Sequence, residues 1–253
     1  MKVLDLFSGI GGFSLGLEKV GFETVAFCEI EPYCRGVLAK HWPDTPIYGD
    51  VKQLTGEQLR ADGIVPSVIV GGYPCQPFSV AGRQRGAEDD RHLWPEVRRL
   101  VAEIRPTWCI FENVAGHIRL GLDEVLSDLE AEDYSARPFV IPACGVDAPH
   151  RRPRVYIVSK NVADASSQRP QGRTEQQVYG VGDLSQQFER SGTDFGNGWP
   201  TEPDVGRVAN GVPARSHRIK ALGNAVVPQI PEVIGRTIIQ VEKNYNGYYK
   251  QGS

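Results

Sequence analysis

The chain has 253 residues, 40% of them hydrophobic and 23% charged, enough to bury one sizeable core with room for one small subdomain. No apolar run approaches the roughly 18 residues needed to span a bilayer, and the five well-separated cysteines, with no C-x-x-C pair, indicate neither a disulfide framework nor a zinc site. The formal net charge of −3 is unevenly spread: residues 151–220 hold 11 Lys and Arg against 7 Asp and Glu, a local excess suited to facing phosphates.

The first expected strand, Val3–Phe7, begins almost at the initial Met and carries an acid, so no export leader is expected and a reducing cytosol suits the thiols. It runs through Ser8-Gly9-Ile10-Gly11-Gly12 into a helix over Phe13–Val20. Glycines let a backbone approach a ligand closely, and the helix N-terminus beyond them carries partial positive charge. The G-x-G-x-x-G register of dinucleotide-binding folds fails here because Ser14 occupies the last glycine position, which disfavours nicotinamide binding. A second strand, Thr24–Cys28, precedes a helix over Pro32–His41. Glu29 ends that strand, where a carboxylate can accept both hydroxyls of a ribose, and Asp50-Val51 follows a third strand within reach of an adenine amino group. A pocket of nucleoside type is the reading that remains.

Val68–Val70 reads as a buried strand leading into Gly71-Gly72-Tyr73-Pro74-Cys75-Gln76-Pro77-Phe78-Ser79, which sets one thiol between prolines just past the strand's carboxyl end. Ligands of open α/β sheets bind at that edge, so Cys75 is placed as a nucleophile. A helix over Leu93–Ile104, a strand over Trp108–Phe111 ending in Glu112-Asn113-Val114, and a helix over Leu122–Leu129 follow. Tyr134–Val140 and Arg154–Ser159 are strands with no convincing helix between them, predicting an antiparallel hairpin at the sheet edge. This alternation predicts an α/β fold with a mostly parallel sheet covered on both faces. From Ala163 to Pro203 the composition turns to Gln, Ser, Gly, Asp and Arg with little apolar period, as expected of a loop-rich insert, and helical spacing returns over Ile230–Gln240.

In this order, Cys75, Glu112-Asn113-Val114, the arginines of Pro149-His150-Arg151-Arg152-Pro153-Arg154, and Gly223-Asn224-Ala225-Val226 resemble the DNA cytosine-5 methyltransferases. The resemblance covers about residues 1–160 and 205–240. It implies a Rossmann-like methyltransferase sheet that binds S-adenosylmethionine, released as S-adenosylhomocysteine, and no metal. Phe7, Gly9, Gly11, Gly12, Glu29, Asp50 and Val51 are then expected at the cofactor, with Asn224 and Ala225 closing the pocket. Cys75 matches the family nucleophile, Glu112 the acid of its Glu-Asn-Val motif, and Arg152 and Arg154 the arginines of its Gln-x-Arg-x-Arg motif, both expected as catalytic groups that bind the oxygen on carbon 2 of the base and favour the thiolate; His150 replaces the usual Gln.

By the same resemblance the loop Gln76–Arg91, with Arg83 and Arg85, is a lid over an extruded base, because cytosine in a duplex is reachable only when flipped out of the stack. Gln76, Ser79, Arg83, Arg207 and Arg218 are expected at nucleic acid, with Arg215 and Lys220 alongside. Expected domains are a catalytic and cofactor-binding part at 1–160, a small irregular target-recognition region at 161–205, a returning segment at 206–245 and a tail at 246–253. Double-stranded DNA is the expected partner of a cytoplasmic monomer, with a cognate restriction endonuclease acting separately. A transfer RNA cytosine-5 methyltransferase and a non-catalytic DNA-binding or cofactor-sensing relic stay open as alternatives, while a zinc deaminase lacks its H-x-E and P-C-x-x-C motifs.

Overall fold

A computed structural model describes residues 1–74, 92–162 and 215–250. Seven strands form one sheet in the order β3-β2-β1-β4-β5-β7-β6. They are β1 (Lys2–Leu6), β2 (Glu23–Cys28), β3 (Ile47–Tyr48), β4 (Val68–Gly71), β5 (Trp108–Val114), β6 (Tyr134–Pro142) and β7 (Pro153–Asn161). The first five run parallel, and β7 is antiparallel to both β5 and β6. The predicted hairpin is present, with β7 inserted beside β5 and β6 on the rim. Arg137 and Pro138 lie exposed on that outer strand, where a charge and a proline discourage further pairing.

Alternation along the strands sorts the core into two layers. Leu4, Leu6, Ile69, Cys109 and Phe111 face one side and pack with buried side chains of α4 (Trp94–Ile104) and α6 (Leu122–Ala131). Val3, Val68, Val70, Trp108 and Ile110 face the other, against α1 (Gly12–Glu18) and the long C-terminal α8 (Gln229–Lys250). The helix expected over Ile230–Gln240 is thus the start of a longer one, anchored to the sheet where Trp108 Nε1 donates to Glu242 Oε1 at 3.0 Å and Lys160 pairs with the same carboxylate at 2.8 Å.

Helices that the sequence pattern did not reveal are α3 (Gly56–Ala61), α5 (His117–Leu120) and α7 (Arg215–Asn224). The first two are too short to display a period. The sequence of α7, Arg-Ser-His-Arg-Ile-Lys-Ala-Leu-Gly-Asn, has no apolar stripe to betray it.

The glycine turn shows why Ser14 replaces a glycine. Asp5 lies on the α1 face of β1, 1% exposed, and Ser14 Oγ donates to its Oδ2 at 2.7 Å. Close approach of helix and neighbour is supplied elsewhere: a Cβ on Gly16 would stand 2.0 Å from the carbonyl oxygen of Pro228, and one on Gly12 would stand 2.5 Å from that of Val226. The segment entering α8 therefore lies directly against α1.

Burial raises the Asp5 pKa from 3.8 to about 8, with the Ser14 hydrogen bonds offsetting part of the shift and the Glu29 and Glu18 charges adding to it. Its folded-state value lies above the unfolded one, so the stability it contributes is fully present below pH 3.8 and lost as pH rises through about 8. Asp5→Asn keeps an acceptor for Ser14 but cannot ionise. Urea titrations across this window should show a shallower fall in stability for the variant than for wild type; equal slopes would mean that Asp5 is not the responsible group.

Candidate active site

The order of strands reverses at β1, whose neighbours β2 and β4 lead the chain in opposite directions. Such a reversal opens a crevice at the carboxyl ends of the strands. Here it holds a cavity of about 510 Å³, within the range of small-molecule and cofactor sites. Its walls come from the ends of β1, β2, β4 and β5, from the start of β7 and from α7.

Phe7, Gly9, Glu29, Asp50, Val51, Asn224 and Ala225 all line the cavity, and so do Glu112, Arg152 and Arg154. The expected cofactor end and the expected base end are therefore one continuous space. Gly11 and Gly12 do not line it. Gly11 instead makes room for the Trp42 ring, which would stand 2.6 Å from a Cβ there, and Gly12 for the Val226 carbonyl. Cys75, Gln76, Ser79, Arg83, Arg85 and Arg207 lie outside the described residues, as does most of the expected recognition region. Arg218 lies on α7 and is half-buried.

At the cofactor end, β1 closes on Phe7, whose φ of 51° puts it in the left-handed region that side chains disfavour, and Gly9 follows at 54°. Glu29 fixes this turn. Its Oε2 accepts from Gly9 N at 2.7 Å and its Oε1 from Glu31 N at 2.8 Å, so the carboxylate is locked in place at 7% exposure. Burial raises its pKa, and the two backbone donors work against the rise. Each carboxylate oxygen accepts more than one hydrogen bond, so the hydroxyls of a ribose can share these oxygens with the backbone. Asp50 orders the next loop by accepting from Lys52 N at 2.9 Å. Ile30, 65% exposed, presents an apolar face to the same space. Apolar walls with a few fixed acceptors suit a nucleoside, and the carboxylates of Glu29, Glu31 and Asp50 suit one that carries positive charge.

At the other end, register on β5 and β7 decides the chemistry. Glu112 pairs with Tyr156, and Arg154, two residues earlier on β7, projects from the same face. Arg154 Nε consequently meets Glu112 Oε1 at 2.9 Å. Burial pushes the Glu112 pKa up, and the charges of Arg154 and Arg152 pull against it. Such an acid holds or accepts a proton more readily than an ordinary glutamate, as proton-transfer chemistry requires. Gly72 lies beside it, and a Cβ there would stand 3.1 Å from Glu112 Oε2.

Below that pair, Tyr73 carries the chain toward Cys75. Its ring packs on Trp94 and Phe111, its carbonyl accepts from Asn113 Nδ2 at 3.2 Å, and its hydroxyl lies 2.8 Å from His117 Nε2. Over the cofactor end, His217 stacks on Tyr33 with ring centroids 5.9 Å apart, and Lys220 pairs with Glu31. Lys220 thus also borders the cavity. These partners are more than 180 positions apart in sequence, and no local pattern announces them.

A model of the family described as C-5 cytosine-specific DNA methylase matches residues 1–195. The type II methyltransferase M.HgiCII of Herpetosiphon aurantiacus is 39% identical over 165 residues, which span 62% of this chain and 36% of that protein. The type II methyltransferase M.HhaI of Haemophilus parahaemolyticus is 34% identical over 163 residues, 62% of this chain and 48% of that one. The chain thus spans about a third to a half of the length of these relatives. Among solved structures, the S. pombe Dnmt2 methyltransferase aligns with 97% of this chain and 99% of its own at a TM-score of 0.64, a likeness of fold at 16% identity.

Burial lowers the His117 pKa from 6.5, so its contribution to stability is present above pH 6.5 and lost as pH falls through the lowered value. Tyr73→Phe keeps the ring packing and removes the hydroxyl, which should cost about 1 kcal/mol. An NMR titration should place the His117 transition below that of a solvent-exposed histidine; a transition at the ordinary value would mean that the ring is hydrated.

Proposed function

The chain belongs to the C-5 cytosine-specific DNA methylase family, and from that membership we propose that it methylates carbon 5 of cytosine in double-stranded DNA. The observation that carries this reading is the sharing of one cleft by a nucleoside-type pocket and the half-buried Glu112–Arg154 pair. The pocket fits S-adenosylmethionine: Glu29 offers fixed acceptors to a ribose, Asp50 an acceptor to an adenine amino group, and Phe7, Ile30 and Val51 apolar walls. When bound, that cofactor supplies an electrophilic methyl group.

The residues of this chain prepare the base. Carbon 5 of cytosine is a poor nucleophile, and addition of the Cys75 thiolate to carbon 6 makes it an enamine-like one. A free thiol with a pKa around 8.5 is mostly protonated at neutral pH, so guanidinium groups nearby favour its reactive form. Glu112 stands to protonate or hydrogen-bond ring nitrogen 3 and the exocyclic amine. Arg154, already ion-paired with Glu112, can bind the oxygen on carbon 2 and stabilise charge pushed into the ring. Loss of the proton on carbon 5 then expels Cys75 and restores the ring. In this reading it is a cytoplasmic monomer, acting beside a separate restriction endonuclease in keeping with the type II names of the relatives. An RNA substrate is the alternative, and parallel DNA and RNA methylation assays separate the two.

Two variants test the division of the cleft. Cys75→Ala should abolish methyl transfer and also the covalent adduct with DNA carrying 5-fluorocytosine, since fluorine cannot leave as a cation, while S-adenosylhomocysteine affinity stays near wild type. Glu29→Ala should weaken that affinity by about 1.5–3 kcal/mol through loss of charged hydrogen bonds. Calorimetry and denaturing gels read both, and undiminished turnover of Cys75→Ala would remove the thiol from the mechanism.

A further inference from the structure

The family resemblance sends both arginines to the base, but the structure gives them different partners. Arg154 faces Glu112. Arg152, just before β7, lines the same cavity, but its hydrogen bonds go elsewhere: its Nη2 donates to the carbonyl oxygen of Gly223 at 2.7 Å and to that of Ala225 at 3.1 Å. Its backbone φ of 34° lies in the left-handed region, a conformation that persists only where surrounding contacts hold it.

Those two carbonyls belong to the C-terminal end of α7 and the residue beyond it. The last carbonyls of a helix have no partner within it, and a cation there satisfies them and meets the negative end of the helix dipole. The rest of α7 is fixed to the start of α2 (Pro32–His41) and the residue before it, through the stacking of His217 on Tyr33 and the pairing of Lys220 with Glu31. Thus α7 bridges the cofactor end of the cleft, held on one side by α2 and on the other by Arg152.

We propose that Arg152 is a positioning residue: it holds the Gly223–Ala225 carbonyls, keeps α7 closed over the cofactor pocket, and leaves Arg154 as the arginine of the pair that meets the base. This rests on the cofactor reading of the pocket given above. Because Arg154 stands at the start of β7 and Arg152 just before it, this short segment joins closure of the cofactor end to the geometry of the base end.

The test compares Arg152→Ala, Arg152→Lys and Arg154→Ala with wild type. Amide hydrogen exchange over residues 216–227 in the ligand-free protein reports closure directly. S-adenosylhomocysteine titration and steady-state methylation of unmethylated DNA report its consequence. Loss of a charge-assisted hydrogen bond is worth about tenfold in an equilibrium. Arg152→Ala should therefore speed exchange in this segment and weaken S-adenosylhomocysteine about tenfold, raising KM for the methyl donor while kcat at saturation stays within about threefold. Arg152→Lys, with one ammonium for two carbonyls, should recover part of each effect and serves as the comparison if the alanine variant does not fold. Arg154→Ala should leave exchange and S-adenosylhomocysteine affinity at wild-type levels and lower kcat. Wild-type exchange and affinity in Arg152→Ala, with kcat lost, would assign Arg152 to the base and overturn the proposal. Failure of the wild-type protein to bind S-adenosylhomocysteine would overturn the cofactor reading, while the exchange comparison would still decide whether Arg152 holds α7.

Discussion

The chain reverses its winding at β1, and the cleft exists because of that reversal. Strands β2 and β3 lie on one side of β1, and β4, β5, β7 and β6 on the other. After β1 the chain leads to β2 on one side, and after β4 it leads to β5 on the other, so the two connections part at the reversal. Their divergence would leave a crevice floored by backbone, and the sequence lines it with Phe7 and Gly9 from one side and Gly72, Tyr73 and Pro74 from the other. The C-terminal segment completes the enclosure by folding against α1, which is possible because glycines at 12 and 16 leave no side chain in its way.

Electrostatics within the cleft is arranged around carboxyl groups held out of water. Glu29 is fixed by two backbone donors, Glu112 by one guanidinium, and Asp5 beneath the glycine turn by a serine hydroxyl. Burial raises the pKa of all three, but the compensation differs. Backbone amides cannot be titrated or displaced, so Glu29 is a rigid acceptor. An arginine side chain can exchange one partner for another, which suits Glu112 to a site where substrate must enter. Asp5, raised to about 8 by its burial, belongs to the scaffold rather than to the cleft.

Much of this was legible from local pattern. Short β-branched runs followed by amphipathic stretches announced the sheet, and the positions of Glu29, Asp50 and Glu112 near strand ends announced a site, because side chains at strand ends converge in this class of fold. The glycine turn was legible as a turn but not in its division of labour. Of its glycines, Gly9 borders the cavity while Gly11 and Gly12 accommodate Trp42 and Val226, and which neighbour each one meets depends on elements far along the chain.

What the sequence determined by itself is what depends on neighbours along the chain: strand and helix identity, the hairpin of β6 and β7, and the chemical type of the groups at each strand end. The tertiary structure decided what depends on register and on distant contacts. An antiparallel pairing of Glu112 with Tyr156 puts Arg154, and not Arg152, within reach of the carboxylate. Helix α7 has no apolar stripe and owes its place to His217, Lys220 and the carbonyls that Arg152 holds. A helix secured by polar contacts at its ends leaves no period in the sequence, since periodicity records burial along a face and these contacts are made between residues tens to nearly two hundred positions apart.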